Sequence, residues 1–162
     1  MQLRDAVPDD LPGILAIYND VIATTTAVYT ETPDDLAGRQ AWFEARRQAG
    51  YPVLVADEDG RVVGFGSFGD WRAWPGYAGT VEHSVHVDAA YRGRGAGRAV
   101  VSALVERARG LGKHVILGGI DADNAASLAL HARLGFERAG LHRQVARKFG
   151  RWLDLVFVQR LL

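Results

Sequence analysis

The segment Arg92-Gly93-Arg94-Gly95-Ala96-Gly97-Arg98 constrains this chain more than any other stretch of its 162 residues. It stands between a strand-like run that ends at Val87 and a helical run marked by Val100, Val101, Leu104, Ala108 and Leu111. Three glycines within five residues allow positive φ and close backbone approach. Consecutive N–H groups can then point into one concavity, and the start of the following helix adds partial positive charge. Such a nest favours a diphosphate. Two other phosphate loops do not fit the letters. A nucleoside-triphosphate loop ends in Gly-Lys followed by Ser or Thr, but Gly97 is followed by Arg98 and Ala99. The dinucleotide fingerprint needs a small residue where Arg98 stands and opens a parallel sheet, whereas this loop follows a run that reads as a hairpin.

The surrounding periodicities supply the frame. Residues 3–7 read as a strand, and Leu11, Ile14, Leu15, Tyr18 and Ile22 recur at helical spacing with Asp9 or Asp10 placed to cap the first turn. Thr32-Pro33-Asp34-Asp35 reads as a second helix start, with Thr32 as N-cap and Pro33 at the first helical position. Residues 53–56 and 62–68 are strand-like and flank Asp59-Gly60, a hairpin signal. An aromatic loop of residues 69–77 leads to a strand ending at Val87. After the Gly-rich segment and its helix come a β-branched strand, a short helix from Asn124 to Gly135, and two strands meeting at Phe149-Gly150. The order βααβββαβαββ describes one α/β (α+β) domain over residues 1–162, with no internal repeat or linker.

Composition narrows the partners. Nineteen basic residues balance nineteen acidic ones, so no global positive field is available for nucleic acid. The absence of cysteine removes disulfides, thiolate metal sites and a cysteine nucleophile. No leader pattern or membrane-length apolar run is present, and a cytoplasmic location is the default expectation. His83 and His86 stand three apart and face oppositely on a regular strand, so no metal site is expected.

Arg92-x-x-Gly95-x-Gly97, together with Asn124, Ala126-Ser127-Leu128 and Leu134-Gly135-Phe136, resembles the coenzyme A loop and the later Asn-to-Gly-Phe segment of the GNAT acetyltransferases. The resemblance covers essentially the whole chain. It implies a mixed, mostly antiparallel twisted sheet of about seven strands flanked by about four helices, with acetyl-CoA as co-substrate and a homodimer. More narrowly, residues 80–85, His131 and Gly150-Arg151-Trp152-x-Asp154 resemble the phosphinothricin and methionine sulfone or sulfoximine acetyltransferases. That branch acetylates the α-amino group of small amino acids.

Acetyl transfer from a thioester to an amine needs an unprotonated nitrogen, stabilisation of an oxyanion and a proton for the departing thiolate. The resemblance makes Glu82 the general base, although a strand glutamate in a salt bridge is the other reading. It implies a strand bulge that lets the backbone of Val85, His86 and Val87 hold the pantetheine arm and thioester oxygen. Regular alternation would instead place Glu82, Ser84 and His86 on one face and His83, Val85 and Val87 on the other. Arg92, Gly93, Arg94, Gly95, Ala96, Gly97 and Arg98 are the phosphate candidates. Asn124 caps its helix or bonds pantetheine. His131, where many relatives carry tyrosine, is either the proton donor or a packed structural residue. Arg72, with Ala73, Trp74, His83 and Ser84, is the candidate acceptor site, the guanidinium clamping an α-carboxylate. The charges Arg138, Arg143, Arg147, Lys148 and Arg151 read as a solvated strand face. A small α-amino acid or analogue is the leading acceptor. A protein N-terminus or other amine, and a non-catalytic acyl-CoA-binding module, are the alternatives.

Overall fold

In the computed structural model, which describes residues 1–162, seven strands form one sheet in the order β1-β2-β3-β4-β5-β7-β6. The strands are β1 (Gln2–Asp5), β2 (Val53–Glu58), β3 (Arg61–Asp70), β4 (Thr80–Val87), β5 (Val115–Asp121), β6 (Glu137–Lys148) and β7 (Arg151–Leu161). The helices are α1 (Leu11–Thr24), α2 (Leu36–Gln48), α3 (Ala96–Gly110) and α4 (Ala125–Arg133). The element order and the mixed sheet agree with the sequence reading. Only β4 and β5 pair in parallel, joined through α3, because a parallel pair needs a long crossover while antiparallel pairs close with tight turns. Asp59 and Gly60, at φ 55° and 82°, make the predicted β2–β3 turn with both central residues left-handed.

Strand alternation divides the core. Val53 and Val55 of β2 face α1 and α2, joining Ile14, Ile17 and Phe43. Leu54 and Ala56 face the other way, joining Val100, Val101 and Leu104 of α3. α3 lies so close to the sheet that a Cβ at Gly66 would stand 2.6 Å from Val100 Cγ1 and 2.8 Å from the Ser84 carbonyl. Glycine is required there. That approach fixes the start of α3, and with it the Gly-rich segment, against β4.

Two caps differ from the sequence expectation. The N-cap of α2 is Asp35, whose carboxylate accepts from the Gly38 amide at 2.7 Å; Thr32 and Pro33 precede the helix. Asn19 of α1 holds the backbone of Asp34 through both its amide atoms, and Asp34 pairs with Arg39, so the chain stays extended until Asp35. Asp10 precedes α1 without capping it. Its carboxylate instead accepts from the Val7 amide and from Arg4.

Lys148 departs furthest from its predicted place. It is 1% exposed, and its ammonium donates to the carbonyls of Thr25 at 2.6 Å and Val28 at 2.8 Å. A lysine at the end of β6 becomes the bolt that holds the α1–α2 connection to the β6–β7 hairpin, since an unpaired buried ammonium would be costly and the carbonyls of the turn after α1 supply acceptors. Tyr29 adds a hydrogen bond from its hydroxyl to the Asp154 carbonyl.

Candidate active site

The site begins where β4 leaves β5. Their pairing runs from Thr80↔Val115 to His83↔Gly118 and stops, while β4 stays in unbroken register with β3 from Gly64↔Val87 to Asp70↔Val81. The splay implied by the resemblance is present, but no bulge interrupts β4. Thr80 and Asp88 bond to β3, through Trp71 and Val63, so the even-numbered residues direct their backbone groups to β3 and the odd-numbered ones toward β5. Beyond His83 that edge has no strand partner. Val85 therefore offers its N–H and C=O to the opening and Val87 its N–H, while the Val87 carbonyl accepts from Arg92 at 3.3 Å. His86 does not match the backbone role expected of it, because its own amide and carbonyl face Phe65 of β3. Its ring is buried among Tyr18 and Phe65, and burial beside Arg39 pushes its pKa down to about 4.

The opening continues into a cleft of about 1120 Å³. Its floor is Val85, His86 and Val87; its walls are the last residue of α1, Thr24, with the segment that follows it to Ala27, the Gly-rich segment, the start of α4, and Phe149 with Arg151 of the β6–β7 hairpin. Gly93 and Gly95 have φ 76° and 92°, and a Cβ on either would meet nothing within 4 Å. The backbone, not crowding, calls for glycine here. Gly95 caps α3 in the left-handed region without a side-chain bond. The first helical bond runs from Ala99 to Gly95, which leaves the amides of Ala96, Gly97 and Arg98 without helical acceptors. Arg92 and Arg98 line the cleft, whereas Arg94 does not and lies instead over the Tyr91 ring at 5.0 Å. Asn124 caps α4 by accepting from the Ser127 amide at 3.1 Å and also lines the cleft.

Glu82 and Ser84 share the face of β4 that looks toward α1 and α2. Glu82 is half-buried, and a Cβ on the neighbouring Gly119 would stand 3.3 Å from its Oε1. Burial raises its pKa and the charge of Arg72 works against that rise, so the two are within electrostatic reach. Arg72 is exposed and lies over the Trp71 ring at 4.6 Å. Ala73 is exposed too, and Trp74 is 76% exposed; like Arg72, Glu82, His83 and Ser84, neither lines the cleft itself. Of the two aromatic neighbours of Arg72 in sequence, Trp71 and Trp74, it is Trp71 that meets the guanidinium.

His131 stands differently from a proton donor facing the cleft. It is 2% exposed, its Nδ1 lies 2.7 Å from the Ser127 carbonyl and its Nε2 lies 2.9 Å from Nε2 of His83. His83 is buried as well and puts Nδ1 2.6 Å from the Leu117 carbonyl. Both ring nitrogens of His131 are thus engaged inside the protein. His83 and His86, as alternation predicts, point to opposite faces of β4.

The acetyltransferase (GNAT) family model matches residues 14–136. The chain belongs to the GNAT family. An L-methionine sulfoximine/L-methionine sulfone acetyltransferase of Pseudomonas paraeruginosa is 58% identical over 97% of this chain and 92% of that protein. The phosphinothricin N-acetyltransferase of Alcaligenes faecalis is 39% identical over 94% of this chain and 78% of its own length. Among solved structures, yncA, a putative acetyltransferase from Salmonella typhimurium with its cofactor acetyl-CoA, superposes with a TM-score of 0.98 at 48% identity, covering 100% of this chain and 94% of the other. The resemblance to the GNAT superfamily, and to its phosphinothricin and methionine sulfone or sulfoximine branch, is thus established, as is the fold.

Against this GNAT scaffold, several cleft residues escaped the sequence reading. Thr24 to Ala27, Leu130 and Arg133 sit at helix ends that signal nothing on their own. Phe149 reads only as a turn residue; it takes φ 51° and lines the cleft wall. Ser127 reads in the sequence only as part of a family segment, yet it lines the cleft one turn before His131.

Proposed function

We propose that this GNAT N-acetyltransferase takes acetyl-CoA into the cleft and transfers the acetyl group to the α-amino group of a small amino acid or analogue with a free carboxylate, of the methionine sulfone, methionine sulfoximine or phosphinothricin type. The observation that carries the acceptor assignment is Glu82. It is a half-buried carboxylate beside the β4–β5 splay, with Arg72 as its one charged influence. The diphosphate lies against the free amides of residues 96–98 between Arg92 and Arg98, and Val85 receives the pantetheine arm and thioester. Glu82 takes the proton of the substrate ammonium and passes it to solvent, the freed nitrogen attacks the thioester carbon and gives its second proton to the Glu82 carboxylate, and the C–S bond breaks as the thiolate leaves. Arg72 holds the carboxylate, and the Trp71 ring under its guanidinium holds that group in place.

Arg72→Ala is expected to lower kcat/KM for the free amino acid by about 2 kcal/mol, roughly 30-fold, and to change little for the matching amide, which has no carboxylate to clamp. Removing the guanidinium also removes the charge that lowers the Glu82 pKa, so the acidic limb of the pH profile moves upward. Equal losses on acid and amide would take Arg72 out of carboxylate recognition and favour a peptide or other amine as acceptor.

A homodimer belongs to the same proposal. β6 is an edge strand whose residues 137–145 are all exposed, and Leu141, Val145 and Trp152 are each more than half exposed on the β6–β7 hairpin, an apolar surface that a second copy would cover. Sedimentation velocity is expected to give a dimer mass; a monomer at micromolar concentration would remove this part of the proposal.

A further inference from the structure

Three contacts shorter than 3 Å run through the buried pair. They are Leu117 O to His83 Nδ1 at 2.6 Å, His83 Nε2 to His131 Nε2 at 2.9 Å, and His131 Nδ1 to Ser127 O at 2.7 Å. The closest outer partner of each Nδ1 is a carbonyl oxygen, which only accepts, while the Ser127 hydroxyl lies further off at 3.4 Å, so the short contacts place a proton on each Nδ1. Two neutral imidazoles hold two protons in total. Once both are on Nδ1, the two Nε2 atoms would face each other as bare lone pairs. A third proton, between the rings, satisfies all three contacts at once.

We propose that His83 and His131 share this third proton as one imidazole–imidazolium pair, and that the pair supplies the proton for the departing coenzyme A thiolate through the hydroxyl of Ser127. The pair cannot reach the cleft itself, because neither nitrogen of His131 faces it. Ser127 lines the cleft and places its Oγ 3.4 Å from His131 Nδ1, a distance that tightens readily when a charged partner arrives. While Nδ1 carries its proton, the serine hydroxyl has no call to donate inward and its hydrogen is free to point to the sulfur. The Ser127 O–H bond breaks as the S–H bond forms, Nδ1–H of His131 returns a proton to Oγ, and the proton between the rings passes fully to His131. The pair ends neutral, one proton poorer, and recharges from solvent. His83 is a positioning residue: it touches no substrate, yet it holds the proton that makes His131 an acid.

Burial disfavours charge on either ring; the proton's delocalisation over two rings and its two carbonyl acceptors oppose this. No carboxylate faces the pair. β5 presents the Leu117 carbonyl and Gly118, β7 presents Val158, and Phe136 packs on both rings. Arg160 of β7 spends its guanidinium on the Leu134 carbonyl. A buried cation of this kind gives up its proton readily to a thiolate, whose conjugate acid titrates near 8.5 in the unperturbed case.

The relay rests on the acetyltransferase reading above, and its test separates the two. In ¹⁵N-histidine-labelled wild-type protein at pH 7, three of the four ring nitrogens of His83 and His131 are expected to be protonated. Ser127→Ala is expected to lower kcat about 100-fold, within the usual range for a lost acid catalyst, without changing KM for acetyl-CoA. Ser127→Thr, which keeps the hydroxyl, restores most of that loss. Two unprotonated Nε2 atoms, or a Ser127→Ala variant with wild-type kcat, would overturn the relay while leaving acetyl transfer by the wild type intact. A wild type that shows no acetyl-CoA turnover with any amino acid would overturn the functional reading and the relay together.

Discussion

Glu82→Gln is expected to lower kcat/KM for a free amino acid by at least about 100-fold at pH 7, and the deficit is expected to shrink steadily as the pH rises. The substrate arrives as an ammonium ion, and an amide cannot take its proton, so the variant acts only on the free-amine fraction, which grows tenfold per pH unit below the amine pKa. In the wild type the burial of Glu82 raises its pKa, so the acidic limb of the profile lies above the ordinary carboxylate range. That limb disappears in the variant. Stability moves the other way. A carboxyl whose pKa is raised by folding binds protons more tightly in the native state, so its contribution is greatest at acid pH and is lost as pH rises through the folded value. Thermal unfolding should therefore show Glu82→Gln as stable as the wild type, or more so, at pH 7, with the gain fading as the pH falls through the raised Glu82 value and gone once it is below the ordinary carboxylate range. A variant with the wild-type rate across the whole range would remove Glu82 from the proton path.

What could be read in the letters is what depends on neighbours in sequence. The nest at residues 92–98 is local: glycine spacing and an oncoming helix define it, and Gly93 and Gly95 take the positive φ that the spacing asked for. The Asp59-Gly60 turn is legible for the same reason. The start of α2 lies three residues beyond the local helix signal of Thr32-Pro33, because Asn19, on another helix, overrides that signal by gripping Asp34. Lys148 reads as a solvent residue because lysine usually is one; its two carbonyl acceptors lie more than a hundred residues away in sequence, and no pattern near β6 announces them. His83 and His131 are separated by 48 positions. Alternation placed His83 on the correct face, but only the fold shows that this face is where α4 delivers a second imidazole.

That distinction bears on the Gly-rich segment, where sequence and geometry agree most closely and the expected effect is largest. Gly95→Asp is expected to weaken coenzyme A binding by more than about 100-fold: a carboxylate near 4 Å from a phosphate at an effective dielectric of 20 repels it by roughly 4 kcal/mol. The fold should tolerate the change. A Cβ at Gly95 meets nothing within 4 Å, and aspartate is among the residues that accept a left-handed backbone at a cost of about 1–2 kcal/mol. Gly95→Ala carries similar backbone strain without the charge, so its loss of affinity measures conformation alone, and the difference between the two variants measures the repelled diphosphate. Wild-type protein held at a hundredfold excess of coenzyme A over its Kd should gain about 2.7 kcal/mol of stability, visible as a raised Tm, and Gly95→Asp should gain almost none at that concentration. The charge of the nest is what the comparison isolates: Ala96, Gly97 and Arg98 keep their amides in both variants, and only the aspartate places an anion in front of them. If a folded Gly95→Asp protein bound coenzyme A as tightly as Gly95→Ala, the diphosphate would have to lie away from the start of α3, and the free amides there would serve some other anion.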